Sequence, residues 1–165
     1  MNSLITKCCA LPNEIINQIK SYVIFTPKNR KELKDDPYAW YDDELQDAVD
    51  LWCDDKKLAY KLYGHISLWD TKYITDMRGL FCNKKHFNGV ISSWDVSNVT
   101  NMDGMFVNAK LFNQPLNNWD VSKVENTMAM FEGAHSFDKT LENWDVRILK
   151  ICMLCFFGRR HLINH

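Results

Sequence analysis

The sequence predicts an α/β fold in which a short solenoid of 25-residue repeats follows an N-terminal helical cap. Four tryptophans are spaced by 25 residues each time, and every one is followed by an aspartate. Phenylalanine recurs with the same period in two further columns. The predicted repeat core therefore comprises Trp69, Trp94, Trp119 and Trp144, then Phe81, Phe106, Phe131 and Phe156, and finally Phe87, Phe112 and Phe137.

The order of the elements follows from where these columns begin and end. Residues 1–40 are predicted to form a separate helical segment, and residues 41–165 the repeat solenoid. Residues 41–68 are expected to form a degenerate, mostly helical cap turn, because a terminal repeat faces water instead of a neighbour. About 3.5 repeats follow, with the bounds 69–93, 94–118, 119–143 and a truncated 144–165.

Each unit is predicted to contain a short helical stretch and a short strand. Met102, Met105 and Phe106 recur at helical spacing after a threonine suited to an N-cap. One or two helical turns are therefore expected over residues 100–108, and a short strand is expected within residues 116–121. A single unit cannot bury its aromatic rings alone, so we expect like residues to stack from unit to unit.

The aspartate after each tryptophan has two interpretations. Carboxylates in one column could hold calcium, which takes several oxygen ligands. Each unit supplies only one carboxylate to this column, however, and no Gly-rich calcium loop accompanies it. We therefore expect no metal and predict that each carboxylate caps its own turn by accepting the backbone N–H two residues later. The predicted turn caps are Asp70, Asp95, Asp120 and Asp145.

Two stretches of the sequence resemble a known repeat family. Residues 94–102 read Trp-Asp-Val-Ser-Asn-Val-Thr-Asn-Met and residues 119–124 read Trp-Asp-Val-Ser-Lys-Val, and both are similar to the BspA-like leucine-rich repeat. That repeat occurs in bacterial surface proteins and in proteins of protists and large DNA viruses. The resemblance, which covers about residues 62–157, implies a right-handed solenoid with protein-binding roles and offers no catalytic residues to transfer.

Composition and charge exclude several classes of function. Twenty Lys and Arg residues balance 21 Asp and Glu residues, so no global field would attract nucleic acid. No apolar stretch approaches the length of a membrane span, and the first residues do not match a secretory signal. The six cysteines are interpreted as thiols, with Cys152 and Cys155 at core positions. The expected location is intracellular, in a host cytoplasm, or in a virion if the source is viral.

The N-terminal segment presents one apolar helical face over residues 11–23. Its pattern, Leu-Pro-x-Glu-Ile-x-x-x-Ile-x-x-Tyr, is similar to the opening of an F-box, the helical module that recruits ubiquitin-ligase machinery. In that interpretation Leu11, Ile15 and Ile19 face a partner protein. The alternative is a capping helix that turns the same residues toward the first repeat.

The sequence also predicts an apolar C-terminal end. Ile151, Leu154 and Phe157 belong to a unit that stops early, whereas solenoids normally close with a polar outer face. One interpretation is an interface with a second copy of the chain or with another protein. The other is a helix folded back over the open end.

The sequence contains no recognisable constellation for catalysis. Its histidines lack metal-ligand spacing, and neither a G-x-S-x-G motif nor a Gly-rich phosphate loop is present. We therefore expect a non-enzymatic protein without a cofactor that acts as a protein–protein interaction module. Two alternatives stay open: a structural subunit of a large DNA virus particle, which the Lys- and Asn-rich composition favours, and an F-box-type ubiquitin-ligase adaptor.

Overall fold

A computed structural model describes residues 42–145 of the chain. Two α-helices come first, α1 (Asp42–Asp54) and α2 (Lys56–Tyr63), and a short 3₁₀ helix (Ile66–Leu68) follows them. From residue 69 onward the described chain consists of successive turns, with no helix and no strand. The helices therefore lie where the sequence predicts a mostly helical cap, ahead of the repeats.

Helix α1 forms because its apolar residues recur at i, i+3, i+4 and i+7, which places them on one face. These residues are Leu45, Ala48, Val49 and Trp52, and all four are buried. The Trp52 ring meets the Trp69 ring edge-on, with their centroids 5.8 Å apart. The apolar face of α1 thus continues directly into the core of the first repeat.

Helix α2 has a defined beginning and end. Asp55 is its N-cap, and the Asp55 carboxylate accepts the backbone N–H of Leu58 at 3.0 Å. At the other end Gly64 has a φ of +76°, which glycine adopts without steric cost, and its N–H donates to the Tyr60 carbonyl. The chain therefore turns sharply before the first tryptophan of the repeats.

The three repeats share a segment that we call the turn ladder, residues 76–83, 101–108 and 126–133. Alternate residues of the first two segments donate their N–H to a carbonyl 24 residues later, in the next unit, and the residues between them bond locally. The ladder bonds are 2.7–2.8 Å long and run from Met77, Gly79, Phe81 and Asn83 to Asn101, Asp103, Met105 and Val107, and from Met102, Gly104, Phe106 and Asn108 to Asn126, Met128, Met130 and Glu132.

The prediction of helical turns over residues 100–108 is wrong, and the turn ladder explains why. A helix needs every N–H to bond within its own segment, four residues back, but here every second donor bonds to the next unit. Gly104 and Asn108 have φ values of +60° and +56°, in the left-handed region. The Thr100 hydroxyl donates to the Thr75 carbonyl instead of capping a helix.

The prediction of a short strand within residues 116–121 is also wrong. The Trp119 N–H bonds back to the Leu116 carbonyl at 3.1 Å, and the Asp120 carboxylate accepts the N–H of Ser122. These local bonds form tight turns, so the segment does not have the extended geometry of a strand. Parallel pairing occurs elsewhere, as isolated bridges from Asp76 to Asn101 and from Asn101 to Asn126.

Helix α1 also covers the open edge of the first turn ladder. One carboxylate oxygen of Asp42 accepts the backbone N–H groups of Thr75 and Asp76, at 2.9 and 3.2 Å, and the other accepts the Thr75 hydroxyl at 2.9 Å. The Gln46 amide donates to the Leu80 carbonyl at 3.3 Å. In the later units these positions bond to the preceding repeat, so two side chains of α1 replace a missing repeat.

One hydrophobic cluster runs through the described chain, from Leu45 in α1 to Trp144 at the start of the fourth unit. Its members include apolar residues from α1, from the 3₁₀ helix and from every described repeat. The turns therefore share one interior with the cap. The α/β class, the right-handed solenoid and the bounds of the domains and repeats stay predictions.

Candidate interaction surface

The structure buries every described residue of the predicted repeat core, and it stacks the phenylalanine rings of successive units. The Phe81 and Phe106 rings lie 5.3 Å apart and within 2° of parallel. The Phe112 and Phe137 rings lie 5.8 Å apart at 0°. The buried rings are Trp69, Trp94, Trp119, Trp144, Phe81, Phe106, Phe131, Phe87, Phe112 and Phe137, while Phe156 lies outside the described residues.

Tryptophan, unlike phenylalanine, brings a polar N–H group into this interior. The indole N–H of Trp94 donates to the Ile66 carbonyl at 2.8 Å. Those of Trp119 and Trp144 donate to the carbonyls of Ile91 and Leu116, at 3.2 and 3.1 Å. Each bond reaches 28 residues back along the chain, so each of these three indoles ties its unit to the one before it while its ring fills the core.

The aspartate column lies at the surface, directly after the tryptophans. The carboxylates of Asp70, Asp95 and Asp120 each accept a backbone N–H two residues later, at 3.0–3.1 Å. Asp145 is exposed, and the residue two positions after it lies outside the described chain. For Asp70, Asp95 and Asp120 this geometry is that of a turn cap, while the cap predicted at Asp145 stays a prediction.

The surroundings of two of these carboxylates favour their charged form. The Ser97 hydroxyl and backbone N–H, in that order, lower the pKa of Asp95 below its ordinary value of 3.8. The Ser122 hydroxyl and backbone N–H lower the pKa of Asp120 in the same way. Asp95 and Asp120 are therefore negatively charged at neutral pH, and the positive charge of Lys123 lies close enough to act on both.

Sequence reasoning missed two further polar columns. In the first, the side chains of Asp76, Asn101 and Asn126 each accept the backbone N–H two residues later, at 2.9–3.0 Å. In the second, Asn88 and Asn113 each accept the backbone N–H 25 residues later, at 2.9 and 3.0 Å. The signal was present in the sequence, since these asparagines recur with the same 25-residue period as tryptophan.

The exposed positions differ from unit to unit, in contrast to the buried columns. The position after Met77 or its equivalent is Arg78, Asp103 and Met128 in successive units. Three apolar side chains are exposed at different points around the repeats, namely Val90, Leu111 and Met128. The outer surface therefore changes in charge and in hydrophobicity along the stack while the interior does not.

The described cysteines are thiols without disulfide bonds. Cys53 and Cys82 are both partly buried. Burial raises the pKa of the Cys53 thiol to about 11, although the charge of Lys84 acts against it.

Within residues 42–145, no three His, Cys, Asp or Glu side chains are grouped so that they could hold a metal ion. In the same part of the chain, none of the helices has both the length and the apolar character that crossing a bilayer requires.

Several predicted residues lie outside the described range. They are the F-box-like residues Leu11, Ile15 and Ile19, the C-terminal residues Ile151, Leu154 and Phe157, and the cysteines Cys152 and Cys155. Their roles stay predictions, including the choice between an F-box and a capping helix.

The stacked repeats coincide with a family match. A family model described as "Mycoplasma protein of unknown function, DUF285" matches residues 54–164, about two thirds of the chain, and the chain belongs to this family. The match begins at the last residue of α1 and spans all described repeats. Searches of curated proteins and of solved structures found no match.

Proposed function

We propose that this chain is a non-enzymatic protein–protein interaction module, built as a right-handed solenoid of the BspA-like leucine-rich repeat type. The observation that supports this proposal is that the buried residues recur from unit to unit whereas the exposed residues differ. In repeat proteins of this kind the shared core provides stability and the variable surface provides recognition.

The energetic demands on the two sets of residues are different. The tryptophan and phenylalanine columns are needed in every unit, because each unit stacks on the next through them. Exposed residues such as Arg78, Leu111 and Met128 are not bound by that requirement, so their identities are available for contacts with a partner. Membership of the DUF285 family is compatible with this role.

The three exposed apolar residues provide a test that separates the faces of the stack. Met128→Ser, Leu111→Ser and Val90→Ser each change one position around the repeat without touching the core. The tagged full-length chain and each variant would be recovered from cells under cross-linking, and the proteins that co-purify would be identified. We expect one variant to lose a partner that the other two retain, because a partner contacts one face.

A destabilised variant supplies the control. Trp119→Ala disrupts the core, so proteins that it retains recognise unfolded chain and are subtracted. The proposal would be overturned if, after this subtraction, no co-purifying protein depended on any of the three faces. Turnover of a small molecule by the purified wild-type chain that the surface variants left unchanged would also contradict it.

A further inference from the structure

Two columns of opposite charge run along the repeats. The acidic column is the set of turn-capping aspartates, of which Asp95 and Asp120 are both exposed. The basic column lies 15 positions later in each unit and contains Lys85 and Lys110, also exposed, followed by His135. The third unit also carries Glu132 and Asp138 near this column, so Lys85 and Lys110 define its charge.

Backbone bonds fix the basic column in register. The Leu111 N–H donates to the Lys85 carbonyl, and the Ser136 N–H donates to the Lys110 carbonyl, both at 3.1 Å. The basic residues of successive units therefore occupy equivalent positions along the stack. The acidic column has the same register, because the tryptophans before Asp95 and Asp120 each donate their indole N–H to a carbonyl 28 residues earlier.

The rise per unit can be read from the stacked phenylalanines. Ring centroids in the two phenylalanine columns are 5.3–5.8 Å apart between successive units. Successive charges in both columns are therefore spaced by roughly this rise. On an extended peptide, side chains on one face repeat every 6.4–6.8 Å, about twice the rise per strand residue. An extended peptide therefore differs from the column by about 1 Å at each step, whereas another copy of the same stack has the same spacing.

The two columns do not neutralise one another within a molecule. Among residues 42–145, no ion pair joins Lys85 or Lys110 to Asp95 or Asp120. Along the sequence, buried residues such as Val99, Met102 and Phe106 lie between Asp95 and Lys110. The formal net charge of −1 leaves little long-range repulsion between copies.

From these observations we infer that two copies of this chain associate side by side, with the acidic column of one against the basic column of the other. This inference rests on the proposed function and names a second copy as the partner. Each copy keeps one column uncovered, so the contact is heterologous and further copies can add. Exposed ion pairs contribute little each, so the association is weak and depends on salt.

Two variants test this arrangement in the full-length chain. The first, Lys85→Glu with Lys110→Glu, reverses the basic column. The second, Asp95→Asn with Asp120→Asn, neutralises the acidic column but keeps an oxygen to accept the backbone N–H of the turn. A matched control, Lys57→Glu with Lys61→Glu, makes the same charge change at exposed positions of α2.

Sedimentation velocity over a range of concentrations gives the readout. We expect the average mass of the wild type and of the α2 control to rise with concentration at low salt. In about 1 M NaCl, where the Debye length is about 3 Å, both should be monomeric. Each column variant alone should associate at least tenfold more weakly than the wild type. An equimolar mixture of the two should associate again, because the first variant keeps its acidic column and the second keeps its basic column.

Three results would overturn the inference: a wild type that stays monomeric at low salt, a column variant that associates as strongly as the wild type, or folded variants that fail to pair when mixed. Circular dichroism verifies folding in each case. If the wild type stays monomeric but still captures a partner in the surface-variant experiment, the inference fails while the proposed function stands.

Discussion

The Lys84 ammonium group lies 2.9 Å from the Asp50 carboxylate, joining the first repeat to helix α1. The equivalent positions in the next two units are Ala109 and Ala134, both buried between repeats. Among the three units within residues 69–143, the first packs against α1, and there a long charged side chain occupies the position. Burial acts to lower the pKa of Lys84, but the hydrogen bond to Asp50 and the charges of Asp50 and Asp54 outweigh it and raise the pKa.

Lys84→Ala should lower the free energy of unfolding by about 1 kcal/mol at pH 7, because it removes this partly covered ion pair. The folded-state pKa is raised above its ordinary 10.5, so the lysine stabilises the fold below that pH. The difference between wild type and variant should therefore disappear as the pH rises through the folded-state pKa. Urea denaturation at pH 7 and in the alkaline range measures it.

The neighbouring exposed lysine provides the control for that experiment. Lys85→Ala removes the same charge without removing a contact to α1, so its effect should stay within about 0.5 kcal/mol. Equal losses for the two variants would mean that the Lys84 contact contributes nothing.

Trp119→Ala should lower the free energy of unfolding by about 3–5 kcal/mol, the usual cost of removing a large buried aromatic side chain. Only 4% of Trp119 is exposed, and its indole N–H satisfies the Ile91 carbonyl. That loss is a large part of the stability of an ordinary small domain. Thermal and urea unfolding measure it. Tyr60→Ala, at a position that is 58% exposed, should cost far less, and a comparable loss would contradict the importance of the tryptophan column.

Ala129→Gly should raise the free energy of unfolding by roughly 0.5–1 kcal/mol. Ala129 has a φ of +53°, while the equivalent residues in the preceding units are Gly79 and Gly104 with φ values of +65° and +60°. A side chain in this left-handed region costs about 1–2 kcal/mol, which exceeds the entropy that glycine gains in the unfolded chain. Denaturant unfolding of the variant against the wild type measures the difference.

The reciprocal variant is Gly79→Ala. A Cβ at Gly79 would meet only Cys82, at an ordinary 3.9 Å, so the change isolates the backbone strain. It should be destabilising by a similar amount. A stabilising Gly79→Ala, or a destabilising Ala129→Gly, would show that φ does not govern this position.

The interior could be predicted from the sequence because burial selects residue types. A position such as Phe106 must be large and apolar in each unit, and the period of 25 residues makes such positions visible. The turn caps at Asp95 and Asp120 could be predicted for a related reason, since a short acidic side chain after a turn has few other local partners.

The backbone between these positions could not be predicted, because its bonds are made over a long distance in sequence. Met102, Met105 and Phe106 fit helical spacing, but the turn ladder also places inward residues three and four apart. A helix and the turn ladder differ in the partner of the Gly104 N–H. In the turn ladder this partner is the Met128 carbonyl of the next unit. Local spacing contains no information about that partner. The contacts of α1 with Thr75 and Leu80 are equally remote in sequence.

Asp120→Ala should lower the free energy of unfolding by about 1 kcal/mol, the typical value for losing a cap, whereas Asp120→Asn should cost less because its amide oxygen can still accept the Ser122 N–H. The pKa of Asp120 is lowered in the folded state, so its charge stabilises the fold above the ordinary value of 3.8. The advantage of Asp over Asn should therefore vanish as the pH falls below that value. Calcium should leave all three proteins unchanged, and a calcium-dependent difference would instead indicate a cation site.

Cys53 should react slowly with iodoacetamide at pH 8 while the protein is folded. Burial raises its pKa from 9.0 to about 11, and a shift of two units reduces the reactive thiolate about 100-fold. The alkylation rate of the peptide that contains Cys53, followed by mass spectrometry, should therefore be about 100-fold lower in buffer than in denaturing urea at the same pH. Cys53→Ser identifies the peptide. Similar rates in both conditions would show that the thiol is open to solvent and ionises normally.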